Sequence, residues 1–368
     1  MTRIMHVVGA RPNFVKMAPV IDALAGRDDV EQLTVHTGQH YDAALSDEIF
    51  ADLQLPEPDH FLGIGSGTHA EQTARALTGL ESLLMEEIPD ILCVGGDVNS
   101  TLAAALAAAK LGVPVAHVES GLRSSDWAMP EEINRVLTDR LSSWLFTHSP
   151  EARPNLRNEG ISGERIHFVG NTMIDSLRRF EPHARALRAW EAAGFAQGEY
   201  VLITLHRPSN VDDDGQLRRI AHGLATLSRR APLLFPVHPR TRARLRSSGA
   251  QAILDRADVL CAEPAGYLSF LSLQAGAGAI VTDSGGVQEE ASALGVPCFT
   301  LRSTTERPVT LTHGTNTLLG DDPAALREVH LRARAQRPAI PLWDGHAGRR
   351  IADVLVGSRV LAAGGQHV

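Results

Sequence analysis

Apolar residues in this chain come in short unbroken runs, each followed by a turn of glycine, serine or aspartate. A longer stretch then has apolar positions recurring every three to four residues. Residues 4–8 form one such run, and 15–24 the helix after it. Residues 91–94 form another, followed by Gly95-Gly96-Asp97, a helical pattern over 101–110 and a new run at 113–118. Continuous rather than alternating apolar runs predict strands covered on both faces, and their alternation with helices predicts parallel sheets. The pattern restarts after about residue 170, with runs at 201–205, 233–237, 259–262, 279–282 and 298–301 and helical stretches such as 216–229 between them. The fold class expected is α/β, with two doubly wound Rossmann-like domains at 1–170 and 171–345 and a ligand cleft between them. The charged stretch 178–188 is the expected hinge. Residues 346–361 predict a terminal helix that packs back on the first domain, and 362–368 a frayed tail.

In open parallel sheets, ligands bind beyond the carboxyl ends of the strands. The polar turns of this chain fall at those points. They are Gly9-Ala-Arg11-Pro-Asn-Phe-Val-Lys16, Gly95-Gly96-Asp97, Glu119-Ser-Gly121, Thr204-Leu-His206-Arg207, Asp283-Ser284-Gly285-Gly286 and residues 302–307. Six such turns, drawn from both halves, predict one shared site. A helix beginning near Ser284 offers backbone N–H groups and a positive dipole end to a phosphate, and Gly285 and Gly286 permit close approach. Glu290, two turns further on, suits a ribose diol. Capping by Asp283 or Ser284 accounts for the same tetrapeptide equally well. Arg11 and Lys16 suit a pyrophosphate, as a fork and a point charge; taken singly, each also suits a solvated surface. Asp97, Glu119 and Glu131 form an acidic set suited to moving protons, provided their surroundings separate their pKa values. Singly, each better suits a cap or an ion pair with Arg123 or Arg135.

Composition narrows the function. Hydrophobic residues make up 43% and charged residues 21%, and 35 lysines and arginines against 43 acids give a formal charge of -8. That balance argues against nucleic-acid or anionic-membrane binding while leaving room for a local basic pocket. Cys93, Cys261 and Cys298 lie far apart, which predicts neither a disulfide framework nor a thiolate zinc site and fits a reducing, cytoplasmic compartment. The N-terminus has no signal-peptide core, and no run of about 18 apolar residues predicts a membrane span. Two tempting signals fail. His36 and His40 are four apart but sit at a strand end, so a zinc pair is not expected. Gly63-Ile-Gly65-Ser-Gly67 has the wrong spacing for a dinucleotide loop and follows no clear strand. Neither a metal nor a cofactor is expected. The alanine-rich run 103–109 predicts a closely packed helix.

Three segments, His117-Val-Glu-Ser-Gly-Leu-Arg123, Pro130-Glu-Glu-Ile-Asn-Arg135 and Asp283-Ser-Gly-Gly-Val-Gln-Glu-Glu290, together with Gly9-Ala-Arg-Pro, Thr305-Glu-Arg-Pro308 and Gly314-Thr-Asn316, resemble the non-hydrolysing UDP-N-acetylglucosamine 2-epimerases. The resemblance spans nearly the whole chain. It implies the two-domain GT-B architecture, a homodimer, and inversion at C2 of a UDP-sugar without redox chemistry. In that family the C2 proton is removed as UDP leaves C1, giving a 2-acetamidoglucal, and UDP adds back with a proton delivered to the other face. By residue match, Asp97, Glu119 and Glu131 would be the acid/base set and His206 would support the departing diphosphate. Arg11, Lys16, Ser284, Gly285 and Gly286 would hold phosphates and sugar. Phe270 would pack on uracil, Glu290 would take the ribose hydroxyls, Arg307 would contact the phosphate or sugar end, and His238 would lie near the same cleft.

Some positions depart from the family pattern. The first turn ends in Asn13, His206-Arg-Pro-Ser-Asn210 differs from the usual form, and a nucleotide-contacting glutamine usual near Ala265 is missing. The loop between Arg123 and Pro130 is short, and Asp42 stands where a glutamine helps hold an activating substrate, so allostery by substrate is not expected. The exact sugar stays open, because relatives acting on diacetamido-uronic UDP-sugars have similar first-turn and loop sequences. A hydrolysing 2-epimerase, a GT-B glycosyltransferase and a non-enzymatic nucleotide-sugar sensor are the other readings of the same residues.

Overall fold

A computed structural model describes residues 1–39, 50–331 and 336–362. It divides into two compact units, Met1–Arg179 with Pro341–Val368, and Phe180–Ile340. Each unit is built on one parallel sheet.

In the first unit the strand order is β3-β2-β1-β4-β5-β6-β7. The strands are β1 (Thr2–Val8), β2 (Val30–His36), β3 (His60–Phe61), β4 (Ile91–Gly95), β5 (Val115–Ser120), β6 (Trp144–Thr147) and β7 (Ile166–Phe168). Strands β1, β4 and β5 are buried along nearly their whole length, as their continuous apolar runs require. Chain order reverses between β1 and β4, so the turns after these two strands open the crevice where α/β sheets take ligands. Helix α1 (Arg11–Ala25) carries Pro12 in its first turn, where the missing N–H costs nothing. Helix α2 (His69–Glu87) is held by a reciprocal capping box. Thr68 Oγ1 accepts from the Glu71 N–H at 3.2 Å, and Glu71 Oε2 accepts from the Thr68 N–H at 2.9 Å. The glycine-rich loop 63–67 thus joins the two-residue strand β3 to α2, a connection the sequence did not reveal. In α3 (Asn99–Lys110) Ala103, Ala104, Ala105, Ala107 and Ala108 are all buried, the close packing expected of a small-residue face. Helix α4 (Pro130–Leu141) carries the acidic and basic residues of the site.

In the second unit the order is β10-β9-β8-β11-β12-β13, with the reversal between β8 (Val201–Thr204) and β11 (Ala279–Thr282). The others are β9 (Leu233–Pro236), β10 (Val259–Ala262), β12 (Cys298–Thr300) and β13 (Asn316–Leu318). Val201, Ile203, Phe235, Val281 and Phe299 form the centre of its core. The division between the units falls within helix α5 (Thr172–Leu187), which contains most of the charged stretch 178–188. The helices used below are α6 (Pro239–Ser247), α7 (Tyr267–Gly276) and α8 (Gly285–Leu294). Among the described residues no helix is long and apolar enough to cross a membrane.

The last helix, α9 (Ala347–Ala362), returns to the first unit and packs on α1. The approach is close enough that a Cβ on Gly348 would stand 2.3 Å from the Pro19 carbonyl oxygen. Asp175 on α5 accepts the Gly348 N–H at 2.8 Å, satisfying one of the helix's open donors. Burial pushes the Asp175 carboxyl up to about 6, against the pull of the Gly348 and Ala347 N–H groups. The folded pKa therefore lies above the unfolded one, near 4. The associated stability is fully present below pH 4 and is lost as pH rises through about 6. At pH 8 the ionised side chain costs the fold roughly 3 kcal/mol at most. Asp175→Asn keeps a carbonyl for Gly348 and removes the charge. It is expected to melt higher than wild type at pH 8, with the gain shrinking toward pH 5. Thermal unfolding at the two pH values checks this, and a variant less stable at pH 8 would show that the helix terminus favours the ionised form.

Candidate functional site

In the first unit Lys16 on α1, Asp97 in the turn after β4 and Glu119 at the end of β5 come to the carboxyl edge of the sheet. Glu119 has φ 68°, the left-handed region that a glutamate rarely enters, and the register of β5 against β6 slips between Val118 and Ser120. Such a conformation costs on the order of 1–3 kcal/mol and persists only where its surroundings enforce it, commonly at functional sites. Lys16 Nζ lies 2.8 Å from Glu119 Oε1, with both side chains buried. The lysine expected from sequence at a phosphate is thus found on the candidate base. The Gly96 turn passes beneath this pair. Its φ is 70°, and a Cβ there would stand 3.1 Å from Lys16 Nζ and 3.2 Å from Asn13 Nδ2. Asn13 further ties α1 to β4 by donating to the Gly95 carbonyl, and its Oδ1 takes the Ala10 N–H at 3.0 Å.

Asp97 is half-buried and lies 2.9 Å from the Arg135 guanidinium, while Asn134 Nδ2 donates to its backbone oxygen at 2.9 Å. The two acids opening α4 take different parts. Glu132 turns inward, accepts the Ser124 and Ser125 N–H groups at 3.0 and 2.9 Å, and pairs with Arg135. Glu131 is half-buried in the same first turn. Sequence selected Glu131 and passed over Glu132, whose role is to hold the loop 123–129 in place. Arg11 opens α1, but its side chain lies outside the described part of the structure, as do His40 and Asp42 altogether. His36 ends β2 stacked between Phe14 and Phe61, with ring centroids 5.0 Å from each.

In the second unit the organising residue is Asp283, fully buried after β11. Its carboxylate accepts the N–H groups of His206 and Arg207 and the Asn210 amide, at 2.9 to 3.1 Å, and stands 3.2 Å from His206 Nδ1. Asp283 therefore fixes the loop after β8 and orients the imidazole, leaving α8 to begin without it. Ser284 occupies the N-cap, its side chain makes no capping bond, and its N–H donates to Thr282 Oγ1 at 2.9 Å. At Gly285 a Cβ would stand 2.2 Å from Arg307 Nη1 and 2.6 Å from its Cζ, so a side chain there requires Arg307 to leave its place. Gly286 follows in the same first turn of α8.

Arg307 is held by Glu289, at 3.1 Å, and by Glu306. Glu306 also pairs with Arg302 at 2.7 Å and Arg207 at 3.4 Å. Burial alone would raise the Glu306 carboxyl, but the guanidiniums of Arg307, Arg302 and Arg207 hold it well below the usual carboxylate range. The guanidiniums of Arg207, Arg302 and Arg307, set against Glu306 and Glu289, stand beside the α8 N-terminus, whose open amides make a suitable seat for a diphosphate. Glu290 is buried and accepts from Gln274 Nε2 at 2.6 Å. Gln274 lies one turn along α7 from the half-buried Phe270, so the two share a face. His238 is the exposed N-cap of α6, with its ring 6.5 Å from that of His206. Sequence missed Glu306 and Gln274. The signal for the first was a lone acid between Arg302 and Arg307; Gln274 gave none. Among the described residues no group of three His, Cys, Asp or Glu side chains is arranged to hold a metal ion.

Comparison with known proteins agrees with this chemistry. Residues 22–356 match the profile of a family described as UDP-N-acetylglucosamine 2-epimerase. A UDP-N-acetylglucosamine 2-epimerase of Methanocaldococcus jannaschii is 42% identical over 358 residues, covering 95% of this chain and 97% of the relative. A UDP-2,3-diacetamido-2,3-dideoxy-D-glucuronate 2-epimerase of Pseudomonas aeruginosa is 42% identical over 364 residues, covering 96% and 99%. Among solved structures, the Methanocaldococcus jannaschii enzyme in complex with UDP-GlcNAc and UDP superposes with a TM-score of 0.89 at 41% identity, covering 97% of this chain and all of that one.

Proposed function

Because the chain belongs to the UDP-N-acetylglucosamine 2-epimerase family, we propose that it interconverts UDP-N-acetylglucosamine and UDP-N-acetylmannosamine by eliminating and re-adding UDP. The observation that carries the residue assignment is the buried, left-handed Glu119 paired with Lys16 at the same sheet edge as Asp97. The C2 proton is not beside a carbonyl, so its removal alone is too costly. A base takes the proton, the C2–H electrons form the C1=C2 bond, and the C1–O electrons leave with UDP. Addition of UDP to the resulting 2-acetamidoglucal, with a proton delivered to the opposite face of C2, completes inversion without any net redox change. Two faces need two proton groups, which Asp97, Glu119 and Glu131 supply between them. Lys16 neutralises Glu119 in its ionised state.

Leaving-group stabilisation falls to the second unit. In this assignment His206, oriented by Asp283, stands at the departing diphosphate, and Arg307 with the first-turn amides of α8 at Gly285 and Gly286 holds its charge. Arg11 adds a phosphate contact from the first unit. Glu290 takes the ribose hydroxyls, Phe270 packs on uracil, and His238 lines the approach to His206. A homodimer fits the exposed Trp127, Ile133 and Leu137 on and before α4, and a reducing cytoplasm fits three free cysteines. The identity to the diacetamido-glucuronate enzyme supports that sugar as a second reading.

Incubation with UDP-N-acetylglucosamine in D2O, without any acceptor, tests the proposal. A UDP-bound epimer carrying deuterium at C2 is expected. Free N-acetylmannosamine would indicate hydrolysis, and exchange seen only with the diacetamido-uronic UDP-sugar would select the second reading. No exchange with either sugar would overturn epimerisation.

A further inference from the structure

We propose that Asp139 is the positioning residue of this site, a single buried carboxylate that grips the chain on both sides of Glu119 and joins it, through His117, to the Gly96–Asp97 turn. The inference rests on the assignment of Glu119 above. Asp139 lies on α4 and is fully buried. Its Oδ1 stands 2.7 Å from His117 Nδ1, two residues before Glu119 on β5. Its Oδ2 accepts the Gly121 N–H at 3.0 Å, two residues after Glu119, and lies 2.8 Å from Arg123 Nη1. The opposite nitrogen of His117, Nε2, lies 2.8 Å from the Gly96 carbonyl oxygen. Between these two grips fall the left-handed φ of Glu119 and the register slip of β5. A glutamate does not hold that conformation by preference, so the clamp that surrounds it is what holds it.

The hydrogen count fixes the charge state of the clamp. The Gly96 carbonyl only accepts, so Nε2 carries a proton and donates. Burial would raise the Asp139 carboxyl, but His117 and Arg123 outweigh it and hold the group below its ordinary value. An ionised Asp139 only accepts, so Nδ1 carries a proton as well. His117 is therefore an imidazolium donating from both nitrogens, and Asp139 is its counterion. Arg123 also faces Asp139 and is shared with Glu159 at 2.6 Å, and Arg165 adds a more distant positive charge. Position 121 must be glycine in this arrangement. Its φ is 78°, and a Cβ would stand 2.8 Å from the Ala152 carbonyl oxygen.

The test compares two variants of the full chain. Asp139→Ala removes the grip. Asp139→Asn keeps it, because the amide oxygen takes the Gly121 N–H and the amide nitrogen donates to Nδ1 of a neutral His117. At saturating substrate, Asp139→Ala is expected to lower C2 deuterium exchange per folded molecule by about 100-fold or more, the lower range for a displaced acid–base group. KM and UDP affinity should stay near wild type, because the proposed assignment gives most nucleotide contacts to the other unit. Asp139→Asn should recover most of that loss. Exchange close to wild type in Asp139→Ala, or no recovery in Asp139→Asn, overturns the proposal. If Asp139→Ala does not fold, His117→Gln takes its place, with a fall in exchange at unchanged UDP affinity expected and wild-type exchange overturning it. Should wild-type protein bind UDP yet exchange no deuterium, the epimerase assignment fails on its own. The clamp is then judged from 15N-labelled imidazole near neutral pH. Two ring N–H protons on His117, falling to one in Asp139→Asn, support it, and a single proton in wild type overturns it.

Discussion

Glu119→Gln and Asp97→Asn are expected to bind UDP and to lose C2 proton exchange by about 100- to 10,000-fold, the span typical of general acid–base groups. Each amide preserves shape while removing the capacity to carry a proton. The pairing of these carboxylates with Lys16 and Arg135 complicates stability as well as chemistry. Glu119→Gln leaves the Lys16 ammonium buried beside a neutral partner, and losing one member of a buried pair destabilises strongly. A melting temperature alone therefore cannot separate a catalytic carboxylate from a structural one. Exchange per folded molecule can. If both variants melt lower yet exchange at the wild-type rate, these carboxylates are ion-pair partners only and the proton assignment is wrong.

The largest stability effect is expected at Glu306. In Glu306→Ala the guanidiniums of Arg207, Arg302 and Arg307 lose their shared counter-charge in a buried setting, although Arg307 retains Glu289. Stranding buried charge in this way costs about 3–5 kcal/mol, or a fall in Tm of about 4–6 °C for a chain of this size. The sign of the pH dependence follows from the depressed carboxyl. Its stabilisation is fully present above the unfolded value, about 4.3, and is lost as pH falls through the lower folded value. The gap between wild type and Glu306→Ala should thus be constant from pH 8 to 5 and narrow only below about pH 4. Calorimetric scans across that range check both parts. A variant within about 2 °C of wild type at pH 7 would mean that water already compensates the arginines.

The central strands were legible because they are buried on both faces and read as unbroken apolar runs. β2 was not, since Glu31 is exposed and its neighbours are half-buried, which dilutes the run. β6 and β7, with four and three residues, are too short to show a period. The positions of the site were legible for a related reason. Polar residues placed directly after apolar runs lie at strand ends, whatever their partners. The partners were not legible. Lys16 and Glu119 are 103 residues apart in sequence, and nothing local distinguishes a lysine bound for a phosphate from one bound for a carboxylate. Glu131 and Glu132 differ only in which side of a helix start they face. Asp139 sits in a polar, strongly amphipathic helix and reads as surface. The left-handed Glu119 had no signal at all, because the residues that usually mark such backbone are glycine and asparagine.

The discontinuous first unit bears on how the chain is made. The second unit, Phe180–Ile340, is one unbroken segment and has its whole core once its own last residues leave the ribosome. The first unit has not. Its opening helix, Arg11–Ala25, is covered by a helix that begins only at Ala347, docked where Gly348 meets Pro19. At roughly 5–20 residues per second, synthesis of the intervening segment takes about 16 to 64 seconds. Throughout that interval the earliest-made helix keeps an uncovered apolar face, so the N-terminal half is the part of the nascent chain most exposed to chaperones. A chain truncated before Ala347 would carry both sheets and still lack the cover on its first helix.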